Sequence, residues 1–121
     1  MPIKANSKKY IESKFPELLN YKITTSRMYE KADNPKRNRD DWWFKFDYED
    51  LNNYEYIVFA GALDYVNEDF RLFKVPSSYI KANISNLFMD KNGWIIICLH
   101  LKDFVDVRKK AHVSFKEFEL N

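Results

Sequence analysis

The chain has 121 residues, 45% of them hydrophobic, enough to enclose one core of ordinary size and too few to require a second. Its 20 basic and 18 acidic side chains leave a formal net charge of +2, and a single cysteine, Cys98, excludes an intramolecular disulfide and a cysteine-based zinc cluster. Two glycines and four prolines provide no flexible linker and cannot build a phosphate-cradling loop, a nucleophile elbow or a dinucleotide fingerprint.

In chain order, Asn6 or Ser7 is placed to cap a first helix whose apolar side is Ile11, Phe15, Leu18 and Leu19. Pro16 removes a backbone donor and crowds the preceding turn, so this segment is kinked there or is two short helices with Pro16 opening the second. Tyr21 to Thr25 reads as a strand. Residues 30–41 are the most loop-like stretch, with Asn34-Pro35 as the turn signal and Lys31, Lys36, Arg37 and Arg39 around it. Beyond it, Trp42, Phe44, Phe46 and Tyr48 alternate with Trp43, Lys45 and Asp47, the period of a strand with one face on a core.

Tyr56 to Leu63 and Trp94 to Leu101 are nearly unbroken apolar runs, expected to be central strands covered on both faces by helices. Phe70 to Val75 is a further strand, joined to its predecessor as a hairpin through the polar turn at Asn67 to Asp69. Pro76, Ser77 and Ser78 open a short helix reaching about Asn83. Asn92 and Gly93 turn the chain into the last apolar strand. Asp103 to Lys110 is expected to be helical, with Phe104, Val107 and Ala111 inward, and Phe115 and Phe118 close the chain in a short element. The whole reads as one α+β domain over residues 1–121, a mixed sheet of about five strands with two to three helices on it.

No complete catalytic constellation emerges. Scanning for a carboxylate two residues before a lysine returns only Glu12 and Lys14, inside the first helical segment, while Lys22, Lys45 and Lys74 are preceded there by Asn20, Trp43 and Leu72. A metal-dependent nuclease would have to gather Asp64, Glu68 and Asp69 in space. Cys98 and His100 share a strand face without a third partner, so a buried cysteine and a satisfied histidine are expected; His112 receives no role. No catalytic residue, metal or cofactor is assigned.

Charge is distributed unevenly. Residues 1–40 carry ten basic and five acidic side chains, residues 41–70 one and eight, and residues 71–121 nine and five. The positive loop Lys31, Lys36, Arg37 and Arg39 is suited to phosphates, and Trp42 or Trp43, whichever ring stays exposed, to an unpaired base. The acidic stretch Asp47, Glu49, Asp50 and Glu55 is instead suited to the positive groove of a nucleic-acid-processing protein. The lysine-rich start lacks an apolar run of signal-peptide length, and Trp94 to Leu99 is too short to span a bilayer, so a reducing cytoplasm is expected.

The stretch from Trp42 onward, WWFKFDYEDLNNYEYIVFAGAL, then FRLFKVPSSYI, NGWIIICLHL, DFVDVRKK and FKEFELN, resembles the distal half of restriction-endonuclease-like proteins of the PD-(D/E)XK class over roughly two-thirds of the chain. The resemblance implies a nuclease-like core, with Lys22 where the family has its catalytic lysine and Asn20 where it has a carboxylate. It implies a truncated or degenerate site and a DNA-related context. Two functions follow as expectations. The first is a non-catalytic module that holds the backbone of DNA or RNA through Lys31, Lys36, Arg37 and Arg39, with Trp43 beside it. The alternative is a phage or mobile-element inhibitor, of anti-restriction or anti-CRISPR type, that binds a host defence nuclease.

Overall fold

The structure, a computed structural model, describes residues 3–29, 40–64 and 69–120. Helix α1 (Ile3–Lys14) gives way at Phe15, and Pro16 opens a 3-10 turn, Pro16–Asn20. Proline's fixed φ suits this first position, where its missing N–H is no loss. Ile11 and Leu18 from these two pieces are buried, but Leu19 is 41% exposed and does not belong to the apolar side. Asn6 and Ser7 are not caps. The helix begins before them, and both are buried within it.

Among the described residues eight strands follow: β1 (Lys22–Ser26), β2 (Met28–Tyr29), β3 (Asp41–Asp47), β4 (Tyr56–Asp64), β5 (Asp69–Pro76), β6 (Phe88–Met89), β7 (Trp94–His100) and β8 (Glu119–Leu120). Two short helices intervene, α2 (Asp50–Asn53) and α3 (Ser77–Ala82). The α+β class is seen. The strands are grouped as two sheets of four, ordered β1-β4-β5-β8 and β2-β3-β7-β6, where the sequence pattern suggests one sheet of about five. In the first, β1 runs parallel to β4, which forms the expected hairpin with β5; the second is antiparallel throughout.

The division into two sheets has a local cause. The backbone N–H groups of Trp43, Lys45 and Asp47 in β3 are met by side chains: Ser26 Oγ at 2.8 Å, Thr24 Oγ1 at 3.3 Å and Asp50 Oδ2 at 3.0 Å. Thr24 also donates to the Lys45 carbonyl at 3.0 Å. Hydroxyls of β1 thus take the place of a backbone ladder with β3. Lys22, on the same face of β1 as Thr24 and Ser26, continues this seam by pairing with Asp50 at 3.8 Å.

The main core lies between the sheets. Trp42, Phe44 and Phe46 of β3 and Ile95, Ile97 and Leu99 of β7 meet Ile57, Phe59, Phe73 and Val75 of the first sheet. Phe44 and Phe59 stack at 4.8 Å between ring centroids. A second cluster forms on the opposite face of the first sheet, where Val58, Ala60, Ala62, Phe70 and Leu72 receive Ile11 and Leu18. β4 is therefore buried on both faces, as its apolar run requires. The last apolar strand differs. On its outer face Ile96 is half-buried and Trp94 is 37% exposed, and among the described residues no helix lies over that face.

Residues 103–110 are not helical. Phe104 adopts φ +57, which lets its ring stack on Trp42 and meet Phe73 edge-on. Asp106 bridges to Leu99 and Val105 to Ser114, and the Asp106 carboxylate accepts the Cys98 N–H at 3.0 Å and the Arg108 N–H at 3.2 Å. The spacing of Phe104, Val107 and Ala111 imitates a helical face, but Phe104 is drawn into the core and Asp106 to the strand. No described helix is long and apolar enough to cross a membrane.

Candidate functional site

Alternation along β3 sends Trp42, Phe44 and Phe46 inward and leaves Trp43, Lys45 and Asp47 on the outer face of the second sheet. The β3–β7 register sets Trp43 opposite Cys98, Lys45 opposite Ile96 and Asp47 opposite Trp94, while β6 sets Phe88 beside Ile96 and β2 sets Tyr29 beside Asp41. Four aromatic side chains, Tyr29, Trp43, Phe88 and Trp94, thereby share one open face.

Each ring has a cation. Arg27 lies 4.3 Å from the Tyr29 ring centre, Lys45 4.9 Å from Trp94, and Arg108 reaches both Phe88 at 3.9 Å and Trp43 at 5.4 Å. Trp43 is fixed from beneath: its Nε1 donates to Asp41 Oδ1 at 3.1 Å, and Tyr29 meets it edge-on at 6.1 Å. Arg108 is held by its backbone on Asp106, a carboxylate buried against β7 whose Oδ2 finds no partner among the described residues. Burial is the largest influence on that group and pushes its pKa up, against the N–H donors of Arg108 and Cys98 and the charges of Arg108 and His112. Asp41 and Asp47 are the acids that β3 places on this face; Asp41 accepts from Trp43, and Asp47 accepts the Glu49 N–H at 2.9 Å.

The other candidates fall elsewhere. Lys31, Lys36, Arg37 and Arg39 lie outside the described residues, as do Glu68 and the side chain of Asp64; Asp69 is exposed. Asp50 caps the end of β3 and pairs with Lys22, Asp47 accepts the Glu49 N–H, and Glu49 Oε2 accepts from Asn52 Nδ2 at 3.4 Å, so three of the four acids are engaged within the chain; Glu49 and Glu55 are exposed. Asn20, which the resemblance sets in place of a carboxylate, donates to the Glu17 carbonyl at 3.1 Å. Cys98 is buried, and His100 Nδ1 lies 3.1 Å from Asp103 Oδ1. Among the described residues, no group of three or more His, Cys, Asp or Glu is placed to hold a metal ion.

A cleft of about 430 Å³ between α1 and β1 is lined by Lys8, Glu12, Tyr21, Lys22 and Tyr54, with charges of both signs. The aromatic face is the more organised feature. Of its members, the sequence singles out Trp43 alone. The others, Tyr29, Phe88, Trp94 and Arg108, carry at most a faint signal: an apolar strand beginning on tryptophan directly after a glycine turn, and a basic run at Arg108 to Lys110. Compared with known proteins, the chain matches no family model, no curated protein and no solved structure.

Proposed function

We propose that this chain is a non-catalytic module that binds nucleic acid on the outer face of its second sheet. The observation that carries the reading is the interleaving of Tyr29, Trp43, Phe88 and Trp94 with Arg27, Lys45 and Arg108 on a face that no described helix covers. Aromatic rings offer stacking surfaces to bases and the cations offer partners to phosphates. The stretch of chain bearing Lys31, Lys36, Arg37 and Arg39 lies in sequence between β2 and β3, the two strands that carry Tyr29 and Trp43, and in this reading it adds further phosphate contacts to the same site. Descent from a restriction-endonuclease-like ancestor belongs to the proposal as well. It accounts for a nucleic-acid context without a catalytic set, since Lys22 faces Asp50 in the seam.

The test is fluorescence anisotropy of labelled DNA and RNA against the protein at low and physiological salt, beside an Arg27→Glu, Lys45→Glu, Arg108→Glu variant. Binding that weakens steeply with salt and is lost in the variant supports the reading. No binding to any nucleic acid at low salt sinks it.

A further inference from the structure

Resting on the nucleic-acid reading just given, we propose that the ligand of this face is a single strand, bound by exchange. Bases take the faces of Trp43 and Trp94, and the cations now over those rings, Arg108 and Lys45, move to the flanking phosphates.

Three observations lead there. First, the rings sit on a sheet that exposes side-chain faces and, among the described residues, carries no helix over them; a duplex keeps its base faces stacked inside, whereas an unpaired strand can turn them outward. Second, Trp43 and Trp94 are four register positions apart on adjacent strands, which at 3.4 Å per residue and 4.8 Å between strands sets their Cα atoms about 14 Å apart. That spacing keeps the two rings from stacking on each other and separates them as landing places for different bases of one extended chain. Four-stranded sheets that read unpaired RNA seat two or three bases on aromatic side chains in this way.

Third, the energies allow the exchange. An exposed cation–π contact is worth about 0.5–1 kcal/mol, and base stacking about 1–3 kcal/mol per base, so a base displaces the cation from the ring. The displaced guanidinium or ammonium then finds a phosphate. Asp106 holds the Arg108 backbone throughout, so that only its side chain swings. Arg108 is the hinge of the proposal, because its one guanidinium covers both Trp43 and Phe88 and its departure bares both. Stacking accepts any base, so the binding is tolerant of sequence.

The test uses four ligands of equal length: oligo-dT, oligo-U, an abasic strand that keeps the phosphates without the bases, and a DNA duplex. The first two distinguish DNA from RNA. Among the three tryptophans Trp42 is buried, so Trp43→Phe and Trp94→Phe leave one surface reporter each. We expect the single strands to quench both reporters, and the abasic strand and duplex to bind at least tenfold more weakly. Trp94→Ala, at an exposed position with little to unfold, should weaken oligo-dT binding by about 5- to 150-fold, which is 1–3 kcal/mol, with an unchanged melting curve. Abasic strand and duplex binding as tightly as oligo-dT, with no quenching, overturns the single-strand inference and leaves the nucleic-acid reading standing. Failure of all four ligands to bind removes both.

Discussion

Gly61 in β4 and Trp42 in β3 are packed so closely that a Cβ on the glycine would lie 2.4 Å from the indole Cε2. The same indole is fixed at the adjoining atom, where Nε1 donates to the Ala62 carbonyl at 2.9 Å. The two sheets meet here, one supplying bare backbone and the other its largest side chain.

Gly61→Ala should therefore destabilise the fold by about 1–3 kcal/mol, since the neighbour is the rigid middle of a buried ring and cannot yield. Urea unfolding monitored by Trp fluorescence checks this. A change within about 0.5 kcal/mol of wild type would mean that the sheets separate easily at this point.

Thr24→Val should cost about 1–3 kcal/mol although it preserves shape. It removes one hydroxyl that serves both the amide and the carbonyl of Lys45. Thr24→Ser keeps that hydroxyl and should lose less in the same unfolding experiment. If Val and Ser variants melt alike, the seam is held by packing and the hydrogen bonds are incidental.

Asp106 predicts a pH dependence of definite sign. Its carboxyl is raised above the ordinary 3.8, so the folded state binds this proton more tightly than the unfolded chain does. The contribution of this group to stability is then greatest below 3.8 and declines as pH rises through the folded value, levelling off above it. Asp106→Asn abolishes that titration. The difference in unfolding free energy, wild type minus variant, should fall as pH rises from 3.8 through the folded value. A difference that stays level or rises would contradict the raised value.

Lys36→Ala, Arg37→Ala, Arg39→Ala addresses the basic residues that lie in sequence between β2 and β3. For every phosphate that this variant leaves without its cation, the slope of log binding constant against log salt should become shallower by about 0.9 on duplex or about 0.7 on a single strand. A triple variant with the wild-type slope would confine the phosphate contacts to the sheet face.

The strands are legible in the sequence where burial imposes a period. Trp42, Phe44 and Phe46 alternate because one side of β3 is core, and the β4 run is unbroken because α1 and the second sheet cover its two faces. Pro16 marks the break between two helical pieces for a steric reason that any context respects. The segment after β7 reads falsely as a helix because a left-handed Phe104 and a carboxylate bonded to a strand amide leave the same apolar spacing. Most of the aromatic face is illegible for a different reason. Tyr29, Trp43, Phe88 and Trp94 come from four strands, and only the register of long-range pairing makes them neighbours. The hydroxyl seam leaves no trace either, since Thr24 and Ser26 look like ordinary strand residues until their partners in β3 are known.

That seam also decides how the molecule can be approached. A strand border with vacant amides invites any extended peptide to lengthen the sheet, the route to swapped dimers and fibrils. Along β3 the invitation is withdrawn, because Ser26, Thr24 and Asp50 already occupy the amides of Trp43, Lys45 and Asp47. A partner arriving on this side finds side-chain surfaces in place of backbone donors, and recognition there must be made by rings and charges.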